Sequence, residues 1–567
     1  MVYFKRDRFA GIAPGVSSRL LAEQFGQIAE NLDFESGRLL ATTEDVDAYT
    51  LQNTARRSIY YYRDTSWLEW SEDNVSVVPG PIPGDTTDRL YFTGDDYPRV
   101  GAVSTLVSGS SGYPVNSYRL GVPAPSNAPT TTKSGTATTT ATPSDVSYVY
   151  TFVTATGEEG PPSSPSAVIE LTDSESVAIA MPSSNNTSGN YNFGSGALKR
   201  IYRSNTGSTN TQFQFLAQVA YSAVTYTDTT DAAFLGEILP SDTWIGPPND
   251  DTALYPDGPL QGLIALAHGT MAGFTGKRFC LSEPYLPHAW PVTYRITTEE
   301  DIVAIASTAN GVAALTDGQP YFITGNDPSA MTAVRIDLAQ ACVNKNSVVD
   351  MGDYVLYAGP DGLCSVQSAQ GQVVTKGQVS VKQWTADFNP TTIRAFRHEG
   401  TYVAFHSGGG WVYDPRGGEA ALSTLTLSAD VRGGYRNPKD GQLYIIVGNK
   451  IKKYRGSSTN KTLTFKSKKF VSPAPVSMGW VSVHANAYPV TVKVWGDGVL
   501  VSHYVLSKPG STYTQATTVP SGISSATIHE PLMRMPAVVA QEWEVQVEGT
   551  DINDFCLAQS ADEVRNS

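Results

Sequence analysis

The chain has 567 residues, with 40 Lys plus Arg against 54 Asp plus Glu, and a formal net charge of −14. Hydrophobic residues make up 40%, enough to exclude a disordered chain, while Gly 50, Pro 35 and Tyr 29 fit a turn-rich β protein and not a helical bundle. The acidic balance argues against a protein that grips nucleic acid through a basic surface, and at about 150 residues per domain the length predicts three to four domains.

Lys5, Arg6 and Arg8 open the chain with no apolar run behind them, so the N-terminus does not read as a signal peptide. With no apolar stretch of about 18 residues, no helix is expected to span a membrane, and the chain is expected to be made in a cytoplasm. Residues 1–50 read as an extended arm with little core of its own. Within it, Pro14-Gly15 makes a turn, and Ser17 or Ser18 caps a short helix through Glu23 to Asn31.

From residue 51 the pattern is β. Ser58–Tyr62, Trp67–Trp70, Val75–Val78 and Arg89–Thr93 alternate between close turns and make a small meander within residues 51–122. Residues 123–145 are rich in Thr, Pro and Ser and read as a linker opening a unit that runs to 250. Its strands are Val146–Thr154, Ala167–Leu171, Val177–Met181, Leu198–Arg203, Phe213–Val219 and Val224–Asp228. The pieces YVYTFVTATGEEGPPSSPS and KRIYRS…FLAQV…VTYTDT resemble a fibronectin type III-like β-sandwich, which implies a module and no chemistry.

Residues 251–458 contain a loose repeat. Segments 271–284, 302–325, 347–366, 392–414 and 429–454 each hold strand, turn and strand, and they start 31, 45, 45 and 37 residues apart. That period predicts propeller blades, with the meander at 55–100 as one more blade and the sandwich as an insertion after it. Residues 459–567 alternate again, with Asp497-Gly498 as a hairpin turn, and predict a second small sandwich. The predicted class is all-β: a propeller-like body, an inserted fibronectin III/Ig-like sandwich and a C-terminal β domain.

No constellation in the sequence demands chemistry. Cys280, Cys342, Cys364 and Cys556 lack paired spacing and read as buried small residues, not a zinc site or a disulfide framework. His268, His288, His398, His406, His484, His503 and His529 show no metal-ligand spacing; His398 and His406 fall on successive strands and are candidate neighbours. The pairs Asp95-Asp96, Asp250-Asp251 and Glu299-Glu300 lack the alternation of a calcium loop. Gly408-Gly409-Gly410, Gly417-Gly418 and Gly433-Gly434 do not open helices, so phosphate cradling is not indicated. Lys450–Lys453, Arg455 and Lys461–Lys469 form the one basic stretch, read as a solvated edge strand or a partner face. Trp67, Trp70, Trp290, Trp384 and Trp411 sit in strand patterns and read as core. No catalytic, cofactor or metal residue is assigned.

The stretch FAGIAPGVSSRLLAEQFGQIAENLDFESGRLLAT, with Gly11, Pro14, Arg19, Leu20, Gln27, Ala29, Asn31, Gly37 and Arg38, resembles the opening of short-tailed bacteriophage tail proteins of the nozzle, or tail tubular B, type. SEPYLPHAWP (282–291) and EWEVQVEGT…LAQSADEV (542–564) extend the resemblance. It implies a virion protein of the tail, a ring of usually six copies around a DNA exit channel, no cofactor and no membrane span. Its implied partners are other copies of itself, an adaptor or tail tube protein, and tail fibres. DNA would pass without specific binding, and the acidic surplus would lie on the channel wall. Two other readings follow from the residues: a host-surface-binding tail protein using the insert or the propeller face, and a propeller glycosidase. The glycosidase is the weaker, because Ser-x-Asp-x-Gly-x-Thr-Trp turns are missing.

Overall fold

Short alternating strands broken by Gly, Asn and Asp turns leave little room for helix. In the computed structural model the described residues carry many β-strands and three short α-helices. Residues 3–34, 36–109, 112–137, 143–172, 174–182, 189–206, 210–416, 421–507, 513–515 and 532–565 are described. They fall into two units, one of Met1–Tyr61, Gly318–Pro320 and Ile336–Ser567, the other of Tyr62–Asp317 and Tyr321–Arg335. The class is all-β, with a propeller-like body of four-stranded antiparallel meanders and two sandwiches.

In the first unit one such sheet is Val349–Asp350, Val355–Ala358, Leu363–Gln367 and Gln370–Val373. The next is Arg394–His398, Thr401–His406, Gly409–Asp414 and Ala421–Leu425. A third, Val431–Arg436, Leu443–Val447 and Lys450–Lys453, takes its fourth strand from Val46–Thr50, with Ile451 opposite Tyr49. Lys450–Lys453 is therefore an inner strand and not the edge strand expected. The C-terminal sandwich has two faces. Leu463–Ser467, Val539–Gly549, Val490–Gly496 and Val499–Leu506 lie in one; Asp551–Ala558 and Trp480–Ala485 lie in the other. Asp497 and Gly498, at φ +47° and +80°, turn the predicted hairpin.

The N-terminal fifty residues, with little core of their own, lie on the rest of the first unit by joining its sheets. Tyr3–Arg6 and Leu39–Ala41 pair with Asp551–Ala558, while Gly11–Ile12 and Phe25–Glu30 enter the other sheet of the sandwich. The helix expected through Glu23 to Asn31 is absent. Phe25 and Ala29 have helical spacing, but Phe25–Glu30 finds strand partners on both sides, and two ladders of backbone bonds outweigh a weak local preference.

In the second unit, Ser76–Pro79, Leu90–Thr93, Arg99–Gly101 and Tyr118–Arg119 form one four-stranded sheet. Ser58–Tyr62 and Ser66–Trp70 are strands but lie outside it, so the first blade sits later in the chain than the 55–100 meander expected. Gln261–Ala265, Met271–Thr275, Arg278–Leu281 and Ile296–Thr297 form the second sheet. Ile302–Thr308, Gly311–Thr316, Tyr321–Thr324 and Thr332–Arg335 form the third.

The insert is a sandwich of Thr130–Gly135, Glu175–Ala180 and Thr225–Asp228 against Tyr148–Val153, Leu198–Thr206 and Thr211–Ala220. Tyr148, Tyr150, Phe152, Val177, Ile179 and Ile201 fill its core. Thr130–Gly135 is thus an edge strand paired with Glu175–Ala180, not linker; β-branched threonines suit a strand with one wet face.

Candidate functional site

Among the described residues no three His, Cys, Asp or Glu gather as a metal site. The four cysteines are buried free thiols; burial pushes Cys280 up to about 11 and Cys342 and Cys364 up to about 12, so they stay protonated and unreactive. His398 and His406 are not neighbours. His398 pairs with Thr401 at one end of the hairpin, and His406 pairs with Gly409 beyond its other end. His484 Nδ1 lies 2.6 Å from Asp554, whose carboxylate raises the ring's pKa. His529 and Gly417-Gly418 lie outside the described residues.

The acidic pairs are engaged in structure. Asp95 faces Arg99 at 3.5 Å, Asp250 takes Arg119, and Glu299 takes Arg335 at 2.7 Å. Trp67, Trp70, Trp290, Trp384 and Trp411 are all buried, as expected of core. In the basic stretch Lys452 pairs with Asp47, Lys466 with Glu544 at 2.6 Å and Lys469 with Glu542 at 3.2 Å. A cavity of about 480 Å³ in the second unit is lined by turns around Ala265–Thr270, Ser307–Val312 and Gly325–Met331. Its lining carries His268 but no carboxylate, lysine or arginine, so it lacks an acid–base pair.

The residues of the N-terminal motif converge on one structural joint. Gly11 has φ +87°, and a Cβ there would overlap the carbonyl of Leu422, so only glycine lets Gly11–Ile12 approach Ala421–Leu425. Phe25–Glu30 bridges to the same strand at Glu30–Thr424 and pairs on its other side with Leu463–Ser467. A 12-stranded sheet results, running from the blade Arg394–Leu425 into the sandwich. Asn31, 3% exposed and at φ +58°, locks it. Its Nδ2 donates to Thr426 Oγ1 (2.7 Å) and to the Thr462 carbonyl (3.1 Å), and its Oδ1 accepts from the Thr426 amide (3.0 Å).

Other motif residues serve the same joint. Gln27 donates to the Ser467 carbonyl and to Glu544, and Ala29 is buried in the shared core. The Pro14 carbonyl accepts from Gln383, Arg19 pairs with Glu542, and Arg38 lies 3.3 Å from Asp551. Leu20, at 77% exposed, and Gly37, with open space where a Cβ would stand, are the exceptions.

The insert has a joint of another kind. Glu158 accepts from Arg89 at 2.6 Å, and Arg89 also holds Asp85 at 2.8 Å. His288 Nε2 lies 3.1 Å from the Glu159 carbonyl, and the Trp290 amide donates to Ile245. Arg119 pairs with Asp250, donates to the Gly189 carbonyl and stacks 3.8 Å from the Tyr97 ring centre. The stretch 282–291 is thus part of the seat, which the sequence did not reveal. Inside the insert the carboxylate of Glu159 takes Arg200, Tyr202 and Thr151, and buried Asp228 takes Arg203 at 2.8 Å and Tyr148 at 2.9 Å.

No family model and no curated protein matches the chain. Among solved structures, the WD40 domain of Neurospora crassa Pan2 is similar over 50% of this chain and 84% of its own, at 7% identity and a TM-score of 0.23. YCF48 from Cyanidioschyzon merolae is similar over 73% of this chain and 99% of its own, at 12% identity and a TM-score of 0.23.

Proposed function

We propose that the chain is a structural protein of a short phage tail, assembling as a ring of six copies through which DNA is ejected, without catalysis. The observation that carries this reading is the position of the motif residues. Gly11, Gln27, Ala29 and Asn31, by which the chain resembles nozzle proteins, weld a blade to the C-terminal sandwich in one sheet. Such a weld suits a wall that must keep its shape under load, and it uses the motif for architecture, not chemistry. The engaged histidines, thiols and carboxylates fit the same reading. Adaptor or tube proteins and tail fibres would be its neighbours in the tail.

Electron microscopy and sedimentation of the purified full chain, with antibody labelling of virions, test it. Ring particles and label on tails are expected. A chain that stays monomeric and is missing from tails would overturn it.

A further inference from the structure

In each unit the first strands of successive four-stranded sheets lie side by side: Ser76–Pro79, Gln261–Ala265 and Ile302–Thr308 in the second unit, and Val349–Asp350, Arg394–His398 and Val431–Arg436 in the first. Those of the second unit hold no charged residue. Those of the first unit hold Arg397, Arg432 and Arg436, with Arg394 on the same strand as Arg397, against one carboxylate, Asp350.

A fourth guanidinium is brought in by close backbone approach. A Cβ on Gly433 would run into the carbonyl of Arg57, so Gly433 is what lets residues 56–60 lie against Val431–Arg436. Tyr60 and Tyr435 meet there, with ring centres 5.1 Å apart.

Arg57, Arg397, Arg432 and Arg436 make no ion pair with a carboxylate among the described residues. Arg57 and Arg436 are exposed, and Arg397 and Arg432 are half-buried. Asp350 lies within the field of Arg397 and Arg436, and its carboxylate also accepts the Gly352 amide at 2.6 Å. Burial and the charge of Arg57 both disfavour the protonated Arg432. Four guanidiniums are therefore held with one carboxylate, Asp350, acting on two of them, although the chain carries an excess of carboxylates elsewhere. By contrast, Arg278 and Arg335 in the second unit face Asp257 and Glu299 at 3.1 and 2.7 Å.

We propose that Arg57, Arg397, Arg432 and Arg436 form a contact surface for the phosphate backbone of duplex DNA. The planar guanidinium fork suits phosphate. At about 3.3 Å per residue, Arg432 and Arg436 stand roughly 13 Å apart along one strand, which spans about four phosphates of a DNA strand. Guanidinium contacts to phosphate carry no sequence information, so binding through them is independent of sequence and sensitive to salt. The identification of the polyanion as DNA rests on the tail-wall reading, and the four arginines would be a local basic contact on a wall that the resemblance implies to be acidic.

Fluorescence anisotropy of a labelled short duplex, titrated with the full chain over a salt series, tests it. The variant Arg57→Gln/Arg397→Gln/Arg432→Gln/Arg436→Gln is expected to lower affinity at least about tenfold at low salt. It should also flatten the slope of log K against log salt by about 0.9 per lost phosphate contact. Arg278→Gln/Arg335→Gln is the charge control and should leave the slope unchanged. If the fourfold variant fails to fold by circular dichroism, Arg432→Gln/Arg436→Gln is read instead, with about half the change in slope.

The proposal is overturned if the wild type does not bind duplex. It is equally overturned if the variant keeps the wild-type slope, if both variants weaken binding alike, or if an acidic polypeptide competes as well as DNA at equal charge. Ring formation is scored on the same samples, so rings with an unchanged slope overturn this surface and leave the tail-wall reading standing.

Discussion

The C-terminal sandwich is joined to its blade by shared strands, whereas the inserted sandwich is seated on its blade by side chains and isolated backbone bonds, such as Trp290 to Ile245 and Arg119 to Asn190. At the first joint, Gly11–Ile12 and Phe25–Glu30 continue the backbone ladder, and one apolar cluster includes Trp384 and Trp411 of the blade region with Phe465 and Trp543 of the sandwich. At the second, Arg89 and Arg119 reach carboxylates across the seat, and His288 contributes a single hydrogen bond. A backbone ladder can open only by losing many bonds together. Partly exposed ion pairs contribute little each and weaken with salt. The first joint is therefore built to be permanent, and the second can be loosened without unfolding either side.

The largest test lies inside the insert, whose core is held partly by buried charge. Arg203 and Asp228 are 3% and 1% exposed. Arg203→Met strands the carboxylate and should cost about 3–5 kcal/mol in urea denaturation. Lys466→Met, in the C-terminal sandwich, breaks a pair that is 20% and 4% exposed and should cost clearly less. Equal losses would erase the contrast between the two cores.

Acidification should strike the first unit through His398. Burial, together with Arg455 and Arg436, pushes its folded pKa down to about 4 from 6.5, against the opposing charge of Asp33. The fold accepts the neutral ring, so this contribution is whole above pH 6.5. It falls away between 6.5 and 4, by about 3 kcal/mol in all. His398→Gln should flatten that part of the stability–pH curve; a curve identical to wild type would remove His398 from the account.

At the welded joint, Asn31→Ala leaves the Thr462 carbonyl and the Thr426 amide short of their partner. It should cost about 1–3 kcal/mol, seen as a lower urea midpoint for the first unit with an unchanged m-value. The smallest global effect belongs to Arg119→Gln, at about 0–1 kcal/mol. Its signature is local: faster amide exchange around Gly189–Asn190 and Arg119, with the core of the insert unaffected. Protection at the seat equal to wild type would show that the ion pairs do not hold it.

The repeat was legible because blades are local. Segments 302–325, 347–366 and 392–414 each contain consecutive strands that pair across short Gly or Asp turns, so the alternation and the turn chemistry agree. The misread pieces are those decided at long range. Phe25–Glu30 looks helical in isolation, and partners roughly 400 residues away, with Gly11–Ile12 beside Phe25–Gly26, make it a strand. Thr130–Gly135 looks too polar to pack, yet a strand at a sheet edge needs only one paired side. Arg57, Arg397, Arg432 and Arg436 are scattered across the sequence, and no spacing rule links the first to the rest. The Gly433-Gly434 pair was visible, but its use, admitting Arg57 rather than a phosphate loop, depends on a backbone contact that composition cannot reveal.

Val46–Thr50 completes a sheet whose other strands are Val431–Arg436, Leu443–Val447 and Lys450–Lys453. During synthesis this strand leaves the ribosome long before those partners exist. At about 5–20 residues per second the wait is roughly 20–80 s. The residues paired with Asp551–Ala558 wait longer still. Val46–Thr50 and Tyr3–Arg6 thus find their places late, and a message cut short before residue 551 yields a chain in which Tyr3–Arg6 has no strand to pair with.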